Sequence, residues 1–392
     1  MEIRNSVSNS QIVQLILQNK VTAPDIVKQT GYSRPTVDTL LSELLKRKII
    51  RKRGVGLSSG GRRPVLYSLN ESGRFAIGVA VAIPKIAGVV VDLSGHIHAE
   101  DIISIPIWSP ADHFIGEVSD LIKRLEKAAP AIKSFEGIGI AIPGLVDPVK
   151  GVSIFFSRLS TFFNTPVKEM LEERLNHKVA VSRYLGSAAY SQIFPGQSGA
   201  RKPTLYIELG EGIEMALFHD GKPYRGNMLN EGGLGHMVID ANGRTCLCGA
   251  KGCLEAYAAN RVLIDEAKLR VRNGEKSMVP SDREIDDEEF YGIVRNNDPL
   301  ALEIAEKGID YLALGIGNVV NLLNPATIII SGAIANAGES FLDKIRSRII
   351  YYSLKILAEK LEIRFMPFDL KEGAKGVGLL RLYEELKLID NL

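Results

Sequence analysis

Cysteine is nearly absent from this chain: three residues in 392. The three are odd in number and lie within eight positions of one another, which argues against a disulfide framework and for a reducing compartment. The opening MEIRNSVSNS has no apolar run, so no secretory signal is expected. Long apolar runs are missing too. The most apolar tract, Tyr311 to Gly332, is interrupted by Asn318, Asn321 and Asn324, whereas a membrane span needs about 20 mostly apolar residues. A cytoplasmic protein with no membrane partner is expected.

Net charge is small as well, +2 overall, but it is unevenly placed. Residues 1–75 carry 13 Lys+Arg against 5 Asp+Glu, or +8; the remainder carries 35 against 41, or −6. A basic head on a mildly acidic body is the footprint of a nucleic-acid-binding module joined to something else. The length suggests two or three domains.

What cysteine there is carries chemistry. The segment EGGLGHMVIDANGRTCLCGAKGCLEAY, residues 231–257, holds Cys246, Cys248 and Cys253, with His236 ten residues before the first. Three thiolates and one imidazole make a closed tetrahedral set, suited to structural Zn²⁺; catalytic zinc keeps an open position. Gly249 and Gly252 let a short loop turn back on a metal. The bland alternative is three buried cysteines and an unrelated histidine, and the clustering of every cysteine in the chain argues against it.

The head reads as three short helices. Ile12, Leu15 and Ile16 follow helical spacing. Thr22-x-x-Asp25 has the form of a capping box with Asp in place of Glu, and Pro24 fits a first turn. That helix carries Ile26 and Val27 and stops at Gly31. Ser33 then caps a third helix with Pro35 in its first turn. Val37, Leu40, Leu41, Leu44 and Leu45 form one apolar face; Arg34, Thr36, Asp38, Thr39, Ser42, Glu43 and Arg47 form the other. Helix, tight turn, helix lays its second helix in the major groove, so Arg34, Thr36 and Thr39 are candidate base readers. Two short strands, Ile49–Ile50 and Val65–Leu69, flank a Gly/Ser/Arg loop and make a wing. Arg51, Lys52 and Arg53 can reach phosphates, and Arg62 and Arg63 a minor groove. One exposed arginine is usually a solvated charge; the whole constellation points to DNA. A winged module used only for protein contact is the competing reading.

From Phe75 onward, β-branched runs alternate with amphipathic helices. FAIGVAVAIPKIAGVVVDLSGHI is two strands and a turn; KVAVS, TLYIELGEGIEMALFHDG and Thr327–Ser331 are further strands. Val167–Leu175, Glu255–Arg272 and Leu300–Leu323 read as helices, and Asp282–Glu289 as a solvated helix start. The alternation predicts α/β with a central sheet. GIGIAIPGLVD, LGHMVIDANGRTCLCGAKGCLEAYA and LLNPATIIISG resemble segments of the ROK family (repressors, open reading frames and sugar kinases). The head resembles the winged helix-turn-helix of that family's xylose- and N-acetylglucosamine-type repressors. The resemblance implies an actin-like (ribonuclease H-like), two-lobed sugar-kinase body behind the head. Its expected boundaries are 1–71 for the head, 72–190 plus a returning 371–392 for one lobe, and 191–370 for the other with the zinc loop. It also implies zinc on His236 and the three cysteines, and a homo-oligomer, dimer or tetramer.

The residues that family kinases use are replaced here. Their Asp-x-Gly-Gly-Thr turn aligns with Ala80, Val81, Ala82, Ile83 and Pro84, and their Gly-Thr-Gly-Ile-Gly turn with Gly210, Glu211, Gly212, Ile213 and Glu214. Two carboxylates beside a triphosphate repel it. The adenosine-side Gly-Gly has become Ser331-Gly332. The catalytic Asp position, after KVAVS, holds Tyr184 within Ser182-Arg183-Tyr184-Leu185-Gly186. A phenol with a pKa near 10 is a poor base at neutral pH, and loss of a positioned base costs roughly 10²–10⁴-fold in rate. No catalytic residue and no ATP or Mg²⁺ is therefore expected. Of the family's sugar-binding Glu pair, the first is replaced, with Glu231 two residues from its place, and Glu255 remains. Arg183, Tyr184, Glu231, His236 and Glu255 are the candidate effector-binding residues. The expected function is a sugar-responsive transcription repressor acting on operator DNA. An ATP-dependent hexose or N-acetylglucosamine kinase is the alternative, and a repressor governed by a protein partner the second.

Overall fold

The protein is described here by a computed structural model covering all residues except 1, 19–20, 56–62, 72, 107–108, 130, 133–134, 157–161, 194–201, 211, 220–221, 225, 227–231 and 389–392. The chain divides into two compact units, Met1–Ala200 with Asp369–Leu392, and Arg201–Phe368.

The first unit begins with helices Glu2–Gln18, Ala23–Thr30 and Arg34–Lys46. Their ends follow from local chemistry. The Thr22 backbone N–H donates to Asp25 Oδ2 at 2.9 Å, and the Asp25 N–H donates to Thr22 Oγ1 at 3.4 Å, closing the capping box. Gly31 takes a left-handed conformation, φ 73°, and ends that helix. Ser33 accepts from the Thr36 N–H and starts the next. Val37, Leu40, Leu41 and Leu44 are buried, as are Ile12, Val13 and Ile16 on the first helix and Ile26 on the second. Strand Val65–Leu69 lies between Val21–Thr22 and Ile50–Val55, antiparallel to both. The first wing strand thus runs past the expected Ile49–Ile50 into RKRGV. Pairing with Val65–Leu69, which apolar content alone does not report, extends it.

The rest of the first unit is a five-stranded sheet in the order Val179–Arg183, Ile138–Ile142, Phe75–Ala82, Lys85–Asp92, Ile97–Ser104. The first three run parallel and the last three antiparallel. Helix Ala111–Ala128 buries Phe114, Ile115, Val118, Leu121, Ile122 and Leu125 in one core with the sheet. Helix Leu370–Glu385 packs against the sheet at backbone distance. A Cβ at Gly78 would stand 1.9 Å from the Ala374 carbonyl oxygen, so only glycine fits.

The second unit repeats the plan: Lys222–Pro223, Ile213–His219, Thr204–Leu209, Thr327–Ser331, Glu362–Met366. In both sheets the chain-order positions read 3-2-1-4-5, a meander followed by two parallel strands. This is the duplicated ribonuclease H-like plan that the family resemblance implies. Helices Asn260–Arg272, Asp287–Arg295, Pro299–Leu323 and Glu339–Tyr352 supply its core. The long helix expected from Glu255 is broken, with Glu255–Ala258 ending at an extended Ala259. The Asn260 N–H bonds the Gly210 carbonyl at 3.1 Å and not a preceding helical turn, so a tertiary contact makes the break. No helix among the described residues is long and apolar enough to cross a membrane.

Candidate metal centre and nucleic-acid interface

The loop between Leu234 and Glu255 is folded by its own backbone. Cys246 N–H bonds the Ala250 carbonyl at 2.8 Å, Gly249 N–H the Cys246 carbonyl at 3.0 Å, and Ile239 N–H the Gly252 carbonyl at 2.9 Å. Gly252 has φ 76°, and a Cβ there would stand 1.6 Å from the Asp240 carbonyl oxygen; no other residue fits. Tyr257 staples the loop down. Its hydroxyl accepts from the Arg244 N–H at 2.7 Å and donates to Asp240 Oδ2 at 3.3 Å, and the Arg244 guanidinium lies 5.0 Å over its ring.

These turns bring His236 and the three cysteines together, with one ligand atom of each within 4.8 Å of every other. Cys248 Sγ is 3.7 Å from Cys253 Sγ, and Cys246 Sγ is 3.9 Å from His236 Nδ1. A tetrahedron around Zn²⁺ has S–S and S–N edges of about 3.8 and 3.6 Å, from bond lengths of about 2.3 and 2.0–2.1 Å. The cluster therefore has the size and the donor softness to hold such an ion. Electrostatics agree. Burial pushes the Cys246 thiol up to about 12 and raises that of Cys253, while the Ala250 N–H lowers the exposed Cys248. Buried thiols resist ionisation unless a cation sits among them, and a coordinated dication supplies that charge.

Glu255 opens the short helix behind the loop. Its Oε1 accepts from the Cys246 thiol at 3.3 Å and lies 3.6 Å from His236 Nδ1. Its Oε2 fits against Gly212 and Gly235, where a Cβ would approach to 3.2 and 3.0 Å. The carboxylate thus lies beside the metal cluster with one oxygen and beside Gly212 and Gly235 with the other. Tyr257 and this position of Glu255 carry no spacing signal in the sequence. Glu231 and Glu211 lie outside the described residues. Arg183 and Tyr184 belong to the other unit. Tyr184 begins helix Tyr184–Ile193, is 5% exposed, and its ring lies where a Cβ at Gly373 would come within 2.6 Å.

In the head, Arg34, Thr36 and Thr39 are all exposed on the third helix. Thr36 Oγ1 is 2.7 Å from Ser33 Oγ, and the Thr39 hydroxyl donates to the Pro35 carbonyl at 2.9 Å. Arg34 Nε donates to both oxygens of Asp38 at 3.0 and 2.9 Å, a pair that their i,i+4 spacing announces. On the wing, Arg53 and Arg63 are exposed, while Arg51 pairs with Glu71 at 2.7 Å. Arg62 lies outside the described residues.

The sequence model of the ROK family matches residues 76–384. The chain belongs to the ROK family. Among ROK proteins it is 27% identical to the xylose repressor of Bacillus spizizenii, over 95% of this chain and 94% of that one. It is 24% identical to the DNA-binding transcriptional dual regulator NagC of Escherichia coli K12, over 97% and 94%. A ROK family transcriptional regulator of known structure, a homolog of the E. coli MLC protein, matches its fold with a TM-score of 0.83 over 98% of both chains, at 23% identity. The ROK hexokinase of Thermus thermophilus gives 0.67 at 24% identity and covers 99% of itself but 80% of this chain. Likeness to the regulator extends over the head; likeness to the kinase leaves about that much of the chain unmatched.

Proposed function

We propose that this protein is a DNA-binding repressor of sugar metabolism, whose kinase-like body responds to a sugar and does not phosphorylate it. The observation that carries the reading is the head. An exposed helix face bearing Arg34, Thr36 and Thr39 stands next to an antiparallel hairpin bearing Arg51, Lys52 and Arg53. That is the arrangement in which one helix enters a major groove while the wing meets phosphates. Arg62 and Arg63 would add DNA contacts in this reading, and a homodimer places two heads on paired half-sites.

The body supports the second half. Ala80 and Val81 are fully buried in their strand, and pairing continues to Ala82 opposite Lys85. Only Ile83 and Pro84 remain as a turn where kinases of this family present a phosphate-binding loop, and proline has no N–H to offer. Tyr184 stands buried where their base stands. The metal is Zn²⁺ in this proposal, held by His236, Cys246, Cys248 and Cys253. It would act structurally, fixing the loop that carries His236 and Glu255, the two residues of this unit that would meet a sugar.

Footprinting of the purified protein on its own upstream DNA, with and without xylose, N-acetylglucosamine and glucose, tests the proposal. Paired protected half-sites are expected, with one sugar relieving protection. Affinity should fall steeply between about 50 and 200 mM salt as phosphate contacts release counterions. No protection at either salt, together with robust ATP-dependent phosphorylation of a hexose, would replace the repressor by the kinase.

A further inference from the structure

The hydroxyls along the exposed face of helix Arg34–Lys46 are already engaged. Thr36 meets Ser33, Thr39 donates to the Pro35 carbonyl, and Ser42 donates to the Asp38 carbonyl at 2.7 Å. Arg34 is different. Its Nε is taken by both oxygens of Asp38, which leaves Nη1 and Nη2 as a fork. An exposed i,i+4 pair adds little to stability, and both side chains are half exposed, 55% and 51%. A carboxylate on a face that meets a polyanion also opposes binding. Its position is accounted for if it aims the arginine. We infer that Asp38 is a positioning residue for Arg34, and that Arg34 reads the O6/N7 edge of a guanine in each half-site. This rests on the head binding DNA.

Selection from randomised duplexes with the full-length protein, followed by sequencing, tests it. The enriched half-site should carry guanine at one position. Arg34→Ala should lose on the order of ten- to a hundredfold preference there and nowhere else. Asp38→Asn should relax that same position while the salt slope stays unchanged, because no phosphate contact is altered. A merely structural pair would weaken all positions alike. Full guanine preference in Asp38→Asn, or an unchanged profile in Arg34→Ala, overturns the inference while DNA binding stands. No enriched sequence with any variant overturns both.

An independent set of contacts ties this helix to the body. The Arg74 guanidinium donates from Nε and Nη2 to the Arg47 carbonyl, which caps the recognition helix, at 3.0 and 2.9 Å, and pairs with Glu136. Arg47 in turn donates to the carbonyl of Leu386, the cap of helix Leu370–Glu385. At its other end that helix meets Tyr184 through Gly373, and Gly376 lies so close to helix Tyr184–Ile193 that a Cβ would stand 1.7 Å from the Ser187 carbonyl oxygen. One rigid element therefore touches the Tyr184 position at its start and the recognition helix at its end. We infer that helix 370–385 transmits a displacement of Tyr184 to the recognition helix through Arg47, whose carbonyl Arg74 holds in place.

Hydrogen exchange in the full-length protein tests this without DNA, so it fails or survives apart from the repressor reading. Gly373→Ala pushes on the Tyr184 ring. Exchange in residues 34–46 should quicken on the order of fivefold, and the same change in an Arg47→Ala/Arg74→Ala background should add nothing. Tyr184→Ala, which removes atoms at that contact, serves as the second variant should Gly373→Ala fold poorly. Wild-type exchange in 34–46 alongside altered exchange in 184–193, or an equal increment in the double-alanine background, overturns the inference.

Discussion

Cys248 separates a metal centre from a mere cluster of cysteines, because its side chain is exposed while those of Cys246 and Cys253 are buried. Cys248→Ser removes almost no packing, and a surface substitution of that kind stays within about 0.5 kcal/mol. If the four groups hold an ion, the arithmetic differs. Structural zinc sites contribute about 10–16 kcal/mol over four ligands, or roughly 3 kcal/mol per ligand and two decades of affinity. A hundredfold fall from saturation removes about 2.7 kcal/mol of stability from the unit that contains the loop. In a unit of this size that lowers the melting temperature by roughly 5–11 °C. Calorimetry of wild type and variant, with and without chelator, beside metal analysis of both, reads the effect. Chelated wild type should melt at or below Cys248→Ser, and chelator should erase the difference between the two proteins. A variant within 1 °C of wild type under both conditions, in protein without stoichiometric metal, would refute the reasoning.

Asp25→Ala should destabilise the head by about 1 kcal/mol at pH 7, the usual worth of a cap. Hydrogen bonds from Thr22 hold the Asp25 carboxyl below its ordinary 3.8. Its contribution is thus complete above that value and lost as pH falls through the lowered one, so melts of wild type and variant should converge as the pH is taken below 3.8. Gly376→Ala should cost about 3 kcal/mol or more, since the clash is with the Ser187 backbone and no rotamer relieves it. Gly292→Ala, in helix Asp287–Arg295 with open space around the new methyl, should instead stabilise by about 0.4–1 kcal/mol. Denaturant melts of the pair check both signs.

Local chemistry was the most legible part of the sequence. The Thr22–Asp25 box, the Gly31 stop and the Ser33 cap each involve residues within four positions and stand in the structure as their spacing implies. The α/β class followed from alternation, and its two-lobed form from motif resemblance. Adjacency in the sheets was not readable, because Ile138–Ile142 pairs with Val179–Arg183 across some forty residues. Nor was the break at Ala259, which depends on the Gly210 carbonyl. Arg74 with Glu136 and Arg47 with Leu386 lie far apart in sequence and have no periodic signature. Glu255 was legible as a charge at a helix start beside the loop; its contact with the Cys246 thiol depends on the folded loop.

In the repressor reading, the strand ends at which a kinase of this family is expected to present its phosphate turn and its base are filled here by side chains that pack. Ala80, Val81 and Ile83 are buried, and Tyr184 lies against Gly373. A functional site holds polar groups poised for a ligand at some cost to stability; these positions instead add to the core. Restoring the expected base should therefore fail in a particular way. Tyr184→Asp removes a buried ring and places a carboxylate at a site 95% shielded from water. The two effects together cost about 3 kcal/mol or more, a drop of roughly 6–12 °C in melting temperature. Burial would also raise the new carboxyl's pKa. No phosphoryl transfer should appear, because residues 80–84 still offer nothing to a triphosphate. A Tyr184→Asp protein that melts like wild type and turns over ATP with a hexose would show that one side chain, and not the packed turns, had silenced the body.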